Sequence, residues 1–286
     1  MSTPPFIDLP EGTRVERWPV RGTNRAVMHA GMEEAASWAL LVPGFTGSKE
    51  DFIAVLPELG ERGLGAVTFD QLGQFESDGS DHPADYRLPL LAQDLGAVIN
   101  RAQERFGRHD RPHLVGHSFG GLVSQQAVID GVRVASLTAL CTGPGALPAE
   151  RQEGLVALID ALGHISLADI WNMMRAIETA SDARQPAPPV GDFLHRRWLA
   201  NNPVGLQEFG RLLLSQPDLS EAMAAVVRAG LTASVIWGEH DDAWPIDMQA
   251  AMGKAWPART EQLDGLGHSP NVDDPKALVD ALLRGW

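Results

Sequence analysis

The sequence has 286 residues, of which 44% are hydrophobic, and its 37 acidic and 23 basic side chains give a formal net charge of −14. A chain of this length and composition can bury a large core. Its negative charge argues against nucleic acid and anionic membrane surfaces as partners, because both would repel it. The single cysteine, Cys141, excludes an intramolecular disulfide and a cysteine-rich metal site, and is expected to pack as a small buried hydrophobe.

Residues 1–12 contain no basic segment followed by a long apolar core. No other run approaches the roughly 20 apolar residues that a membrane-spanning helix needs. We therefore expect a cytoplasmic protein that does not associate with a membrane.

Short apolar runs alternate with longer stretches of helical periodicity along the chain. The N-terminal pattern predicts a hairpin formed by 15–20 and 25–32. Buried strands are predicted at 37–44, 64–70, 111–118, 134–142 and 232–238. Helices are predicted at 48–63, capped by Ser48, at 84–107 and at 119–130. This alternation predicts an α/β fold with a mostly parallel central sheet covered by helices on both faces.

The alternation stops between 144 and 230, where no buried-strand pattern occurs. Helical periodicity is present at 149–164, 166–180 and 204–216. The proline-rich segment 185–189 predicts a turn between these helices. We therefore predict two core segments, 1–143 and 231–286, separated by a helical lid insertion at 144–230.

Gly116, Ser118 and Gly120 form a G-x-S-x-G pattern where the predicted strand 111–118 meets the predicted helix 119–130. This context is typical of a serine presented on a sharp strand-to-helix turn. Small residues on both sides let the strand and the helix approach, and the serine takes strained backbone angles. The alternative is a flexible glycine-rich turn, but the strand before and the helix after favour a nucleophilic serine.

A serine hydroxyl is a poor nucleophile at neutral pH and needs a base and an orienting carboxylate. Asp241 lies in the loop after the predicted strand 232–238, at the sheet edge expected for Ser118. His268 lies in a glycine-rich loop before the last helix, from which it can reach the same edge. The chain order Ser118, Asp241, His268 is known for such triads. We predict Asp241 as the orienting acid and His268 as the base.

The sequence resembles α/β-hydrolases of the lid-bearing esterase and lipase type, from about residue 15 to residue 286. The stretches that carry the resemblance are LLVPGFTGS, FDQLGQFES, GHSFGG, WGEHDDAWP and GLGHSPNVDDP. The family's G-x-x-D-x-x-x-P pattern is matched with Asp241 as its acid, which favours Asp241 over the neighbouring Asp242. The family's G-x-G-H-x-P pattern marks His268 as the catalytic base.

The resemblance also implies an oxyanion hole made of two backbone N–H groups, which map to Phe45 and Phe119. It implies no metal and no organic cofactor. Two positions depart from the family pattern. Pro43 replaces the usual histidine of the oxyanion loop, so the support of that loop must differ. Phe75 replaces the second glycine of D-x-x-G-x-G-x-S, where it either narrows the pocket mouth or packs beneath the lid.

A serine at the elbow, rather than the aspartate of relatives that open epoxides or displace halide, favours acyl chemistry. We expect a serine hydrolase that cleaves a small-molecule ester of a small or medium apolar acid through an acyl-enzyme. The same triad acting on an amide, a thioester or a carbon-carbon bond next to a ketone is an alternative, and charged lid residues in the pocket would favour it. A ligand-binding protein with little turnover is a further alternative. Nothing in the sequence indicates the oligomeric state.

Several aromatic and histidine residues have competing interpretations. Trp171 in the lid and Trp244 beside the predicted acid are candidates for substrate binding, although helical spacing is equally typical of lid core. His113 and His117 lie four residues apart on a strand, about 13 Å at 3.3 Å per residue, and cannot chelate one metal. We expect structural roles for both histidines.

Overall fold

The computed structural model describes residues 2–180 and 186–286. The strands of this part are β1 Arg14–Val20, β2 Thr23–Ala30, β3 Ser37–Val42, β4 Leu64–Phe69, β5 His113–His117, β6 Ser136–Leu140, β7 Thr232–Gly238 and β8 Arg259–Leu263. They form one sheet in the order β1-β2-β4-β3-β5-β6-β7-β8. The pairs β1/β2 and β2/β4 are antiparallel, and all other neighbouring pairs are parallel.

The α-helices of the described residues are α1 Val55–Gly60, α2 Leu88–Phe106, α3 Phe119–Ile129, α4 Glu153–Leu162, α5 Leu167–Ala180, α6 Pro188–Ala200, α7 Pro203–Ser215, α8 Ser220–Arg228, α9 Ile246–Ala255, α10 Pro270–Asp273 and α11 Pro275–Leu283. Helix α1 packs on α11, and α2 packs on α3. The predicted fold class and the N-terminal hairpin are confirmed. No helix in the described ranges is both long and apolar enough to cross a bilayer.

The central strands bury both of their faces, as a sheet covered by helices requires. In β3, every side chain from Trp38 to Val42 is fully buried. Strand β5 lies between β3 and β6, and its Gly116 is in register with Val42 on one side and Ala139 on the other. The residues that follow β5 therefore emerge at the middle of the sheet edge.

Two of the predicted helices begin later in the chain than their sequence patterns predict. The segment 48–63 contains a 3-10 turn at Lys49–Phe52 and the shorter α1, and Ser48 makes no side-chain capping hydrogen bond. The segment 84–107 begins within a 3-10 turn at Pro83–Tyr86, and α2 begins only at Leu88 because Arg87 has an extended backbone. The edge strand β8 was not predicted, because its sequence RTEQL is polar and half of it is solvent-facing.

Helices α4 to α8 form an insertion between β6 and β7, within the segment predicted as a lid, and we call this insertion the lid. The prediction of a turn at 185–189 is wrong from Pro188 onward, because Pro188 and Pro189 occupy the first turn of α6. Proline is tolerated there because the first helical N–H groups have no intrahelical acceptor. Gln185 lies outside the described residues. The sequence patterns also missed α6 and α8 as helices.

A buried ion pair joins the lid to the core. Arg197 of α6 donates to Asp51 Oδ1 at 2.6 Å, and both side chains are inaccessible to solvent. Burial raises the pKa of Asp51 to about 6, even though the charge and hydrogen bond of Arg197 oppose that rise. The backbone carbonyl of Asp51 accepts a hydrogen bond at 2.7 Å from Asn271, three residues after His268. The lid is thereby connected to the C-terminal loop.

Candidate active site

Ser118 lies between β5 and α3 with φ 54° and ψ −123°, a backbone conformation that is strained for a residue with a side chain. Its N–H donates to the Leu140 carbonyl at 2.9 Å. Its carbonyl accepts from the Gly121 N–H and from Thr142 Oγ1, both at 2.8 Å. These hydrogen bonds hold the turn in its strained geometry, so that the serine hydroxyl projects at the sheet edge.

The glycines around Ser118 are required by close packing. A Cβ atom on Gly116 would lie 2.5 Å from the Gly120 carbonyl oxygen. A Cβ atom on Gly120 would lie 2.4 Å from the Val42 carbonyl oxygen. Both distances are shorter than any non-bonded contact of this kind, and the obstructing atoms belong to the backbone. The strand and the helix meet at this separation only because these two positions carry no side chain.

The structure brings the three predicted triad residues together. His268 Nε2 lies 3.0 Å from Ser118 Oγ, and His268 Nδ1 lies 2.7 Å from Asp241 Oδ1. Asp241 is also an acceptor for the Ala243 N–H at 2.9 Å and for Gln249 Nε2 at 2.8 Å. Its neighbour Asp242 is exposed. The geometry therefore links Asp241, and not Asp242, to the imidazole.

The surroundings of Asp241 keep its carboxylate charged. Burial alone would raise its pKa, but the hydrogen bond and charge of His268 and the donors Ala243 and Gln249 outweigh burial, and the net pKa is lowered. An ionised carboxylate only accepts hydrogen bonds, so Nδ1 of His268 must carry the proton. Nε2 of His268 is then free to accept the hydrogen of the Ser118 hydroxyl.

His117 has a structural contact that the strand pattern did not specify. Its Nε2 lies 2.7 Å from the backbone carbonyl of His268, and its Nδ1 is buried without a partner. Complete burial and the adjacent His268 lower the pKa of His117 to about 3, so the ring is neutral at neutral pH. Its Nε2 therefore carries a hydrogen and donates to that carbonyl. His113 lies at the other end of β5, where its Nδ1 is hydrogen-bonded to Ser136 Oγ at 2.8 Å.

Phe119 follows Ser118 in the chain, and Phe45 lines the same cavity as Ser118. Phe119 begins α3, where a first-turn N–H has no intrahelical acceptor. Within the described ranges, the Phe45 N–H makes no hydrogen bond. A Cβ atom built on Gly44 would lie 3.0 Å from the Cβ of Ser118, so the loop that carries Phe45 runs directly against the serine. The N–H groups of Phe45 and Phe119 therefore lie near Ser118 and have no hydrogen-bond acceptor within the described residues.

The loop that carries Phe45 is supported by two buried glutamines. Gln71 Nε2 donates to the Pro43 carbonyl at 2.9 Å, and Gln74 Nε2 donates to the Gly44 carbonyl at 2.8 Å. Because Pro43 replaces the usual histidine, the sequence indicated that this loop must be held by different contacts. It did not indicate which residues make those contacts. These contacts join residues about thirty positions apart, which no local pattern encodes.

Phe75 packs beneath the lid and not at the pocket mouth. Its ring meets Phe193 of α6 edge-on at 5.5 Å, and Lys49 Nζ lies 4.8 Å from its centre. Its backbone φ of 39° shows why glycine is usual at this position. Of the two alternatives left open by the sequence, the structure supports packing against the lid.

Ser118 opens into a cavity of about 390 Å³. Trp244 lines it, with its ring 6.3 Å from that of His268. The lid contributes the apolar side chains Leu147, Leu155 and Leu213. Among the described residues that line this cavity, Asp242 is the only acidic one and no lysine or arginine occurs.

Trp171, the other candidate for substrate binding, is absent from the described residues that line this cavity. Its ring instead stacks on His195 of α6 at 5.1 Å. It belongs to a lid cluster that also contains Phe193 and Trp198. Helical spacing identified Trp171 as an inward-facing residue but could not distinguish the lid core from the cavity.

Cys141 is fully buried at the end of β6, as expected of a small hydrophobe. Its sulfur and the ligand atoms of Asp241 and His268 all lie within 4.8 Å of one another. Burial, and then the charge of Asp241, raises the pKa of the Cys141 thiol. Asp241 and His268 are already hydrogen-bonded to each other, and a protonated thiol is a poor metal ligand.

Comparison with known proteins identifies the family. The model of a family described as the alpha/beta hydrolase family matches residues 39–281. The chain therefore belongs to the alpha/beta hydrolase family.

Individual relatives are more distant. The chain is 23% identical over 268 residues to a pimeloyl-(acyl-carrier protein) methyl ester esterase of Aeromonas hydrophila, covering 92% of this chain and 94% of that protein. Its fold is similar to that of an esterase from Exiguobacterium antarcticum, with a TM-score of 0.75, 17% identity and coverage of 95% and 98% of the two chains. A thermophilic esterase from Thermogutta terrifontis gives a TM-score of 0.73, 19% identity and coverage of 95% and 97%.

Proposed function

We propose that this protein is a serine hydrolase that cleaves carboxylic esters through an acyl-enzyme. The observation that carries the proposal is the continuous hydrogen-bonded arrangement of Ser118, His268 and Asp241 at the wall of a cavity. A serine on a strained turn, an imidazole hydrogen-bonded to it and a buried carboxylate behind that imidazole are the parts that activate a hydroxyl nucleophile.

The first half of the proposed reaction acylates Ser118. Its Oγ forms a bond to the ester carbonyl carbon while its proton moves to Nε2 of His268, and Asp241 stabilises the resulting imidazolium. The N–H groups of Phe45 and Phe119 bind the oxyanion that forms from the carbonyl oxygen. When the carbonyl re-forms, the bond to the alkoxy group breaks, and His268 returns the proton to that leaving group.

The second half hydrolyses the acyl-enzyme. His268 takes a proton from a water molecule whose oxygen attacks the acyl carbon, and the same two N–H groups bind the new oxyanion. The bond to Ser118 Oγ then breaks, and Oγ regains a proton from His268. One ester and one water become one acid and one alcohol, and the protein returns to its starting protonation state.

The cavity lining supports an uncharged, mainly apolar substrate. Leu147, Leu155 and Leu213 provide apolar surface from the lid, and Trp244 provides it from the core. No cationic side chain occurs among the described lining residues to pair with a substrate carboxylate. Charged lid residues would have favoured the amide, thioester or carbon-carbon alternatives, and the lid residues found here are leucines. An ester is therefore the favoured substrate.

The relatives agree with this proposal at the level of the reaction. The Aeromonas relative is named for cleavage of a methyl ester on an acyl-carrier protein. The present chain carries a net charge of −14, which would repel any negatively charged carrier protein. We therefore propose a free small-molecule ester as the substrate.

A chain-length series of p-nitrophenyl esters tests this function. Purified wild-type protein is expected to hydrolyse the short and medium esters, and Ser118→Ala is expected to lose nearly all of this activity. Ser215→Ala is the matched control, because Ser215 is exposed on α7 and its hydroxyl bonds only a helix carbonyl. Equal rates for the wild type and Ser118→Ala would refute the proposal. Absence of turnover together with tight ester binding would favour a ligand-binding protein.

A further inference from the structure

We propose that Gln74 is a positioning residue that orients and strengthens the oxyanion donor at Phe45. This inference rests on the proposed function, because it assigns a role in the same reaction to a side chain that does not touch the substrate. Gln74 is fully buried and lies outside the described lining of the cavity. Its Nε2 donates to the carbonyl of Gly44 at 2.8 Å.

The Gly44 carbonyl and the Phe45 N–H belong to the same peptide unit. A peptide unit is planar, so a hydrogen bond that fixes the direction of its C=O also fixes the direction of its N–H. A donor on the carbonyl oxygen also polarises the unit and makes its N–H a stronger donor, as in cooperative hydrogen-bond chains. Gln74 therefore acts on the Phe45 N–H from the opposite end of one rigid group.

The orientation of the Gln74 amide is itself fixed. Its Oε1 accepts the backbone N–H of Gln71 at 3.0 Å, so its Nε2 is the end that faces Gly44. The Gly44 carbonyl also accepts the Gly47 N–H at 3.1 Å. The Gly44 carbonyl thus retains one hydrogen bond when Gln74 is changed, and the loss of Gln74 is expected to weaken the donor without unfolding the loop.

Gln71 provides a matched comparison within the same loop. It is also buried, and its Nε2 donates to the Pro43 carbonyl at 2.9 Å. The peptide unit of that carbonyl carries the Gly44 N–H, and not the Phe45 N–H. Removing the Gln71 amide costs its hydrogen bond to the Pro43 carbonyl, whereas removing the Gln74 amide costs two, one to the Gly44 carbonyl and one from the Gln71 N–H. Only Gln74 is linked to the proposed oxyanion donor.

The test compares Gln74→Met with Gln71→Met on the best p-nitrophenyl ester. Gln74→Met is expected to lower kcat by about 10-fold, less than the 10²- to 10³-fold cost of deleting an oxyanion donor outright. KM is expected to stay within about twofold, because the effect arises in the transition state. Gln71→Met is expected to change kcat less than threefold. Equal kcat losses in the two variants would overturn the inference and indicate general loosening of the loop.

Inhibitor binding separates a role in the transition state from a structural one. A trifluoromethyl ketone adds to a serine as a tetrahedral oxyanion, so its affinity is expected to fall in Gln74→Met by the same factor as kcat/KM. The affinity for a substrate-like ketone that does not form the adduct is expected to be unchanged. Parallel loss of both affinities would contradict the inference.

Gln74→Glu gives an independent readout if the methionine variant folds poorly. A protonated carboxyl can donate to the Gly44 carbonyl and an ionised one cannot, and burial raises the pKa of a carboxyl. The activity of Gln74→Glu relative to wild type is therefore expected to fall as the pH rises, and a constant ratio would overturn the inference. If wild-type hydrolysis does not depend on Ser118, the proposed function fails, and this inference fails with it. Ser118-dependent hydrolysis with full activity in Gln74→Met overturns this inference alone.

Discussion

Replacement of Asp241 by asparagine removes the negative charge behind His268 while keeping the shape of the side chain. The carboxylate has three donors around it: His268 and the Ala243 N–H on Oδ1, and Gln249 on Oδ2. An amide NH2 at the Oδ1 position would face the Ala243 N–H and would force His268 into the tautomer that cannot accept the serine proton. An amide NH2 at the Oδ2 position would face the NH2 group of Gln249.

Gln249 can resolve the second conflict. Its Oε1 is buried without a hydrogen-bond partner, so a flip of its amide presents an acceptor to the new NH2 group. The flip gives up its hydrogen bond to the Trp244 carbonyl at 3.1 Å. We therefore expect Asp241→Asn to keep the productive tautomer and to lose chiefly the charge.

The size of the effect follows from this geometry. A wrong tautomer costs about 10⁴-fold in kcat, the figure known for the equivalent change in a serine protease. Loss of a charge-assisted hydrogen bond of about 3 kcal/mol corresponds to about 10²-fold at 1.36 kcal/mol per decade. We expect kcat to fall by about 10²-fold in Asp241→Asn, measured with a p-nitrophenyl ester at saturating concentration. Asp242→Asn is the comparison for the alternative acid, because Asp242 lines the cavity but is not hydrogen-bonded to His268, and its kcat is expected to fall far less. The exposed Asp247→Asn on α9 is the control, expected to keep kcat within twofold. A loss below threefold in Asp241→Asn, or a larger loss in Asp242→Asn, would refute the assignment of the triad acid.

Three further predictions concern stability. Gly120→Ala places a Cβ atom 2.4 Å from a backbone oxygen of β3 and is expected to destabilise the protein by at least about 2 kcal/mol in urea unfolding. Arg197→Met leaves Asp51 buried without its charge partner and is expected to cost about 3–5 kcal/mol, most of which a second change, Asp51→Leu, should restore. His117, with a pKa of about 3 when folded and 6.5 in the reference state, binds fewer protons in the folded state, so its contribution to stability is full above pH 6.5 and is lost as the pH falls toward 3. Near pH 5, stability of the wild type is expected to fall with decreasing pH more steeply than that of His117→Gln, by about 1.4 kcal/mol per pH unit.

Each stability prediction has an outcome that contradicts it. Gly154→Ala is the control for the glycine change, since a Cβ atom there meets nothing within 4 Å, and an equal loss in both variants would remove the packing argument. A double variant of Arg197 and Asp51 as unstable as Arg197→Met alone would show that the ion pair is not the source of the cost. Equal pH slopes for the wild type and His117→Gln would show that His117 does not titrate as its burial implies.

Features of the fold could be predicted from the sequence where the residues that define them are adjacent in the chain and follow a recognisable pattern. The turn at Ser118 could be predicted because strand, glycines and helix are adjacent in the chain. Helix α6 was missed because Pro188 and Pro189 usually mark turns, and only the position in the first helical turn makes them compatible with a helix. Strand β8 was missed because an edge strand with one solvent-facing side lacks the continuous apolar run that marks a central strand.

The parts of the site that the sequence did not reveal depend on contacts between distant residues. Gln74 and Gln249 are ordinary polar residues in the sequence, and their importance arises only where folding brings an amide against Gly44 or Asp241. Trp171 and Trp244 were indistinguishable as pocket candidates. Helical periodicity identifies the buried face that carries Trp171 but not what that face is buried against, and Trp244 lies in a loop, where no periodicity applies. Asp241 could be predicted because parallel strands bring the loops that follow them to one edge of the sheet. His268 was identified from its glycine-rich loop before the last helix and from the family pattern, since the strand that precedes it was missed.

Covalent labelling of Ser118 tests the central claim most directly. A fluorophosphonate reacts with a serine hydroxyl only where a base activates it, and the adduct can be read by intact-mass and peptide mass spectrometry. We expect the wild type to gain one phosphonyl group, located on Ser118, and His268→Ala to label far more slowly. A wild-type protein that remains unlabelled while folded, or that is labelled at a different residue, would contradict the account.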